Sequence, residues 1–173
     1  MKKFFVFLFL SALLLIGAGC LAENKSSGTN ANTNANVNAN ANVNANVPSQ
    51  GKILDLSNQG LTSVSMDIFG RTDLIELNLS HNSLTGALQA EVRHLKNLEV
   101  LNLSYNKFTG VPAEIGQLKK LLVLDLSNNQ LTGLPYELGN LVQLRTLNIS
   151  GNDYSSQDLA KIRSALPDTR IIE

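Results

Sequence analysis

Leu121-Leu-Val-Leu-Asp-Leu-Ser-Asn-Asn-Gln-Leu-Thr-Gly-Leu-Pro-Tyr-Glu-Leu-Gly-Asn-Leu141 decides the reading of this chain. It contains one full turn of a pattern that occurs about five times between Gly51 and Asn152. Aligning the second leucine of each unit gives Leu54, Leu77, Leu101, Leu124 and Leu147, with spacings of 23, 24, 23 and 23 residues. A fixed period of this size signals a solenoid, in which each unit buries its apolar face only by stacking on a neighbour.

In Leu-x-Leu the side chains alternate across a short strand, so both leucines point inward and the residues between point out. Adjacent units pair these strands in parallel, and the chain must then cross behind the sheet and return. Leu84, Phe108, Leu131 and Tyr154 begin that return. Val64, Leu88, Val111 and Leu134 come next, then Ile68, Val92, Ile115 and Leu138 on short turns or helical pieces. Pro112 and Pro135 are expected at the first position of such a turn, where the ring fixes φ and no N–H is needed. Gly86, Gly110, Gly116, Gly133 and Gly139 are expected at sharp bends. Asn82, Asn106, Asn129 and Asn152 are expected to turn inward, their amides satisfying loop backbone of neighbouring units as a structural ladder. A buried polar group left without partners costs about 1–3 kcal/mol. The matching residue of the first unit is Gln59, and a terminal unit lacks a neighbour on one side.

The runs Leu74-Ile-Glu-Leu-Asn-Leu-Ser-His-Asn82, Leu98-Glu-Val-Leu-Asn-Leu-Ser-Tyr-Asn106, Leu121-Leu-Val-Leu-Asp-Leu-Ser-Asn-Asn129 and Leu144-Arg-Thr-Leu-Asn-Ile-Ser-Gly-Asn152 resemble the leucine-rich repeat family. The first unit, Leu54-Asp-Leu-Ser-Asn-Gln59, is degenerate, and the resemblance covers residues 51–173. It implies an α/β solenoid with a parallel β-sheet on the concave face, short turns or helical segments on the convex face, and a C-terminal helical cap. It also implies a non-catalytic module that binds a protein or peptide through the concave face. One concave column runs Ile53, Glu76, Val100, Val123, Thr146, and the next Asp55, Asn78, Asn102, Asp125, Asn148. The rim runs Asn58, His81, Tyr105, Asn128, Gly151. Most of these are common repeat residues. Glu76, His81, Val100, Tyr105 and Val123 depart from the pattern and, with the adjacent Asp125, are the candidate partner-binding residues. Tyr is favoured at interfaces; the plainer alternative is that these are tolerated surface residues.

At the C-terminus, Ser155-Ser-Gln-Asp-Leu-Ala-Lys-Ile-Arg-Ser-Ala-Leu166 reads as an amphipathic helix. Ser155 or Ser156 serves as N-cap, with Leu159, Ile162, Ala165 and Leu166 as the apolar stripe. Arg170-Ile-Ile-Glu173 reads as a final short strand. The N-terminal edge has no such cap. Leu54, Leu56 and Leu61 would have one side uncovered, unless Val47 and Pro48 or another chain fold over them.

Ahead of the repeats lie two further segments. Met1-Lys-Lys is followed by an uncharged apolar run from Phe4 to Gly19, 16 residues long, short for a span of about 20 residues across a bilayer. A positive start, an apolar middle and the small residues Gly17-Ala18-Gly19 are the parts of a secretory signal. On those parts alone, an ordinary cleaved signal or an uncleaved anchor fits too. Ile16-Gly-Ala-Gly-Cys20 resembles the bacterial lipobox, with Gly17 where that family usually has Leu. The resemblance implies a signal peptide over residues 1–19 and acylation of Cys20, making an exported, membrane-anchored lipoprotein that faces the periplasm or the cell exterior. Residues 20–50 then form a linker. Asn occupies every even position from Asn30 to Asn46, and no charge or large apolar group occurs from Ser26 to Gln50. Such a segment buries too little surface to offset its ordering entropy, although its alternation also matches a strand template.

Composition excludes more than it suggests. Lys and Arg total 14 against 14 Asp and Glu, so no basic field argues for nucleic acid. The one cysteine, Cys20, permits no intramolecular disulfide. His81 and His94 are expected on different faces, so no shared metal site is expected, and no cofactor motif is present. The serine column Ser57, Ser80, Ser104, Ser127, Ser150 is repeat geometry without a paired base, so no catalytic residue is assigned. The competing class is a structural or adhesion protein of the envelope that self-associates through its exposed first edge.

Overall fold

Each repeat contributes a strand only three residues long, centred on one inward Leu or Ile, and the strands gain permanence by stacking. In the computed structural model, which describes residues 52–173, these strands are β1 (Ile53–Asp55), β2 (Glu76–Asn78), β4 (Val100–Asn102), β6 (Val123–Asp125), β7 (Thr146–Asn148) and β8 (Arg170–Ile172). Two others, β3 (Thr85–Ala87) and β5 (Lys107–Gly110), lie between them in sequence. The signal run, Cys20, the Asn-rich linker and Val47-Pro48 lie outside the described residues.

The six strands form one parallel sheet in the order β1-β2-β4-β6-β7-β8. Its register places Leu54, Leu77, Leu101, Leu124, Leu147 and Ile171 side by side. Leu77, Leu124 and Leu147 are wholly buried, as are the leading Leu74, Leu98 and Leu121. Burying such a side chain contributes about 1.5–3 kcal/mol, and the buried residues form one core cluster that is aliphatic apart from Phe69 and Phe108.

The chain returns behind the sheet through helix α1 (Met66–Phe69), 3₁₀ segments at Ala90–His94, Ala113–Gln117 and Tyr136–Asn140, and helix α2 (Ser156–Ala165). The 3₁₀ segments are short because five residues must span the crossing, and i→i+3 bonds such as Ile115 N–H to Pro112 C=O close them. Pro112 and Pro135 occupy the N-cap, one place before the expected first helical position. Their ψ values of 151° and 135° are extended, and Gln89 takes the same place in the unit before, so the site requires an extended backbone rather than proline itself.

The two-stranded parallel sheet β3-β5 was not expected from sequence. It sits where the chain leaves the main sheet. The 24-residue spacing from Leu77 to Leu101 has one extra residue: three residues separate Leu84 from Leu88, where two separate Phe108 from Val111. The β3-β5 register shifts at this point, between Gly86 and Ala87. Gly86 has φ +76°, a region costly for residues with a Cβ. Of the five glycines expected at bends, only Gly86 has positive φ. Gly116 is needed for close approach instead: a Cβ there would lie 2.4 Å from the Glu137 carbonyl oxygen.

The C-terminal cap is α2. The Ser155 hydroxyl accepts the Gln157 N–H, and Leu159, Ile162 and Leu166 are buried. Ala165 is exposed, yet it lies so near Gly139 that a Cβ on that glycine would be 2.8 Å from its own. At the other end the first unit is thinner. Ile53 is 60% exposed, and Leu56 and Leu61 are only partly buried against the core.

Candidate recognition surface

The concave sheet is held by two hydrogen-bonded columns at the ends of its strands. In the first, the Oδ1 of Asp55, Asn78, Asn102, Asp125 and Asn148 each accepts the N–H of the serine two residues on, at 2.9–3.3 Å. These are Asx turns, which short Asn and Asp side chains form readily. They turn each chain sharply out of its strand. The spacing Asx-x-Ser in every unit carried this signal in the sequence.

The next residue in each unit is the rim position, and it is left-handed throughout. Asn58, His81, Tyr105 and Asn128 have φ of 57°, 54°, 53° and 52°, and Gly151 has 69°. Asn and Gly tolerate this region; His and Tyr enter it at a cost of order 1–2 kcal/mol. The conformation is fixed from the outside. Each of the four non-glycine rim N–H groups donates to the serine carbonyl of the following unit, as His81 does to Ser104 at 3.0 Å and Tyr105 to Ser127 at 3.0 Å.

Beyond the rim stands the asparagine ladder. Asn82 Nδ2 donates to the carbonyls of Leu56 and Leu79, Asn106 to those of Leu79 and Leu103, Asn129 to Leu103 and Leu126, and Asn152 to Leu126 and Ile149. Each shared carbonyl thus bridges two successive amides. The Oδ1 atoms face the preceding unit and accept from Gln59 and Leu61, Leu84, Phe108 and Leu131 N–H groups respectively.

This framework displays the outward side chains. The register aligns Ile53, Glu76, Val100, Val123, Thr146 and Arg170 in one column; Arg170 enters it because the last strand joins the sheet. Glu76, Val100 and Val123 are half-buried, so each leaves part of its side chain free on the face. Asp125 is differently placed. Its Oδ1 accepts the Ser127 N–H at 2.9 Å and its Oδ2 accepts from Asn148 Nδ2 at 3.1 Å, so its carboxylate serves the sheet.

At the rim, the His81 and Tyr105 rings stack with centroids 4.3 Å apart and planes 9° from parallel. Tyr105 is 52% exposed. A stacked aromatic pair contributes about 0.5–1.5 kcal/mol beyond its area. The sequence named both residues but not their contact, which depends on the left-handed backbone that aims them. His94 lies in the last turn of a convex segment, away from His81. Among the described residues no group of three His, Cys, Asp or Glu could hold a metal ion. Ser80, Ser104 and Ser127 are buried behind the rim, their N–H groups committed to the Asx turns. The arrangement offers a rigid display surface with an aromatic edge.

A family model described as leucine rich repeat matches residues 52–108 and 96–153. A comparison with curated proteins gives no match. Among solved structures, a leucine-rich repeat protein of Leptospira interrogans is 35% identical, with 70% of this chain and 36% of that chain covered and a TM-score of 0.58. The ectodomain of the plant membrane receptor kinase GASSHO1/SCHENGEN3 from Arabidopsis thaliana, in complex with CASPARIAN STRIP INTEGRITY FACTOR 2, is 37% identical, with coverages of 64% and 14% and a TM-score of 0.58. The receptor kinase SOBIR1 ectodomain from Arabidopsis thaliana is 32% identical, with coverages of 69% and 65% and a TM-score of 0.57. The chain thus spans about a third of the Leptospira protein and a seventh of the first receptor.

Proposed function

The chain belongs to the leucine-rich repeat family, a fold that commonly serves as a protein–protein interaction module and is typically not enzymatic, and from that premise we propose a lipid-anchored recognition module of the bacterial cell envelope. Cys20, lipidated on its thiol and then left as the N-terminus by removal of residues 1–19, holds it to the membrane, and the linker over residues 20–50 tethers the repeats to that anchor. The partner is a protein or peptide bound on the concave face around Glu76, Val100, Val123, Tyr105 and His81. The observation that carries this reading is the stacked, exposed His81–Tyr105 pair, held in a strained backbone conformation beside the half-buried valines of the sheet. Large rigid aromatic groups at the edge of an apolar strip favour interfaces. Solved structures similar to this chain include a receptor ectodomain in complex with CASPARIAN STRIP INTEGRITY FACTOR 2 and a plant peptide hormone receptor, RGFR1, in complex with RGF2, which agrees with peptide recognition by this fold.

The test uses residues that other units already carry at the same places. Tyr105→Asn copies Asn128, and Val100→Thr copies Thr146, so the fold tolerates both. Affinity capture from envelope extract is expected to lose its partner with the double variant and keep it with wild type. Equal capture by both would sink the concave assignment. For the anchor, mass spectrometry of the mature N-terminus is expected to find diacylated Cys20 as the first residue.

A second reading, self-association through the first edge, draws on the 60% exposure of Ile53 in β1. It predicts oligomers that Ile53→Lys abolishes, and a strictly monomeric wild type by light scattering counts against it.

A further inference from the structure

Charge is segregated between the two edges of the sheet. The turns that lead into the strands carry Lys52, Arg71, Lys96, Lys119, Lys120 and Arg145, against Asp73, Glu99 and Asp168, a surplus of three positive charges. The loops that leave the strands carry only Lys107 and Asp153. They lead into convex segments whose first turns hold Asp67, Glu91, Glu114, Glu137 and Asp158. Acids there complement the positive ends of the short helical segments, so one edge is left basic.

On the basic edge the amines run sideways across units. Lys120 Nζ donates to Asn97 Oδ1 at 2.7 Å and Lys119 Nζ to the Asn140 carbonyl at 3.0 Å. Among the described residues Lys96, Lys119, Lys120 and Arg145 have no carboxylate within ion-pair distance. Their charge is not cancelled locally and is available to an external surface.

A second observation says what that surface is. The 51 residues outside the described part join it at Lys52, at the start of β1, on this same edge. As a coil, the linker from Cys20 to Lys52 spans roughly 30 Å. An anchor at Cys20 therefore holds the basic edge within reach of lipid head groups. We propose that this edge docks on an anionic lipid surface and stands the solenoid with strand beginnings toward the bilayer. The His81–Tyr105 rim then faces away, open to a partner. This rests on the membrane-anchored reading above. Juxtamembrane bases are attracted by anionic leaflets, and the attraction fades within a screening length of about 8 Å at physiological salt.

The test is orientation on vesicles with the full chain. Single labels are attached through a non-canonical amino acid in place of Gln143 on the basic edge or of Gln130 beyond the rim, both exposed sites, so that the Cys20 thiol carries no label whether or not it is lipidated. Quenching by a head-group quencher is measured on phosphatidylcholine vesicles with and without phosphatidylglycerol. On anionic vesicles the Gln143 label is expected to be quenched roughly twofold more than the Gln130 label. The difference is expected to vanish on neutral vesicles, in 0.5 M salt (roughly a 4 Å screening length), and in the variant Lys96→Glu/Lys119→Glu/Lys120→Glu. Equal quenching of the two labels on anionic vesicles overturns the proposal, as does a difference indifferent to lipid charge. The mass of the N-terminal peptide is read separately. An unmodified Cys20 in protein that still orients on anionic vesicles would overturn the lipoprotein reading and leave this one standing.

Discussion

Replacing Asn106 with alanine tests the ladder at its centre. Asn106 is 8% exposed and makes four contacts: Oδ1 accepts from Leu84 N–H at 3.1 Å, and Nδ2 donates to Leu79, Leu103 and Ser104 carbonyls at 2.9, 3.1 and 3.2 Å. The three carbonyls do not become orphans on truncation. Asn82 still reaches Leu79, Asn129 still reaches Leu103, and the His81 N–H still reaches Ser104. The Leu84 N–H loses its side-chain acceptor in a buried setting, which costs about 1–3 kcal/mol, and two donated bonds are lost at about 0.5–1.5 kcal/mol each. The expected destabilisation is about 2–6 kcal/mol. Asn106→Asp keeps the acceptor but faces three carbonyl oxygens with a charge. It is expected to cost at least as much at neutral pH. Burial raises that carboxyl's pKa in the folded state, so the folded protein takes up the proton first and stability returns as pH falls. Urea unfolding followed by circular dichroism measures both, with exposed Gln130→Ala as a control expected to stay within about 0.5 kcal/mol. A cost below about 1 kcal/mol for Asn106→Ala would refute the ladder as a structural element.

The convex packing makes a paired prediction. Gly116→Ala places a Cβ against Glu137 backbone and is expected to lower stability by about 1–3 kcal/mol, whereas Gly133→Ala, whose Cβ meets Asp158 at 3.7 Å, should raise it by about 0.4–1 kcal/mol. Thermal melts of the two variants decide it, and equal shifts would sink the close-approach argument. For the rim, a double-mutant cycle of His81→Ala and Tyr105→Ala is expected to show a coupling of about 0.5–1.5 kcal/mol from the stack; additive losses would mean the rings do not interact. Burial, then the Glu173 carboxylate, raise the Tyr154 phenol pKa while Arg163 opposes them. A raised folded pKa means stability is present below the ordinary phenol value and falls as pH rises past about 10. Tyr154→Phe should flatten that alkaline decline, and an unchanged pH profile would show that Tyr154 does not contribute to it.

The repeat period carried most of the fold, because aliphatic burial at Leu54, Leu77, Leu101, Leu124 and Leu147 leaves one register possible. The inward asparagines were legible for the same reason: only a partnered amide survives at that place. What was illegible depends on backbone detail. The β3-β5 sheet follows from backbone pairing between a fully exposed β3 and a β5 that buries only Phe108, so the side-chain pattern carries no strand signal there. The placing of Pro112 and Pro135 one residue early turns on ψ alone. The concave columns could be written down from sequence, but the pairing of His81 with Tyr105 needed the left-handed rim, and the binding of Asp125 to Asn148 needed neighbouring strands brought side by side.

The thin first unit has a mechanical meaning. Force transmitted along the N-terminal segment enters at Lys52 and loads β1, whose only strand partner among the described residues is β2. The load is met by bonds in series, from Lys52 C=O to Ile75 and Glu76 N–H, then from Leu56 and Asn58 N–H to β2 and its following loop. Such a strand peels rather than shears. Yielding of residues 52–73 would release up to roughly 75 Å of chain. The Asn82 rung, bonded to Leu56, Gln59 and Leu61, yields with that unit, and the next barrier is the rung at Asn106 beside the His81–Tyr105 edge. The first unit is thus placed to act as a fuse, extending under tension while the display surface keeps its shape.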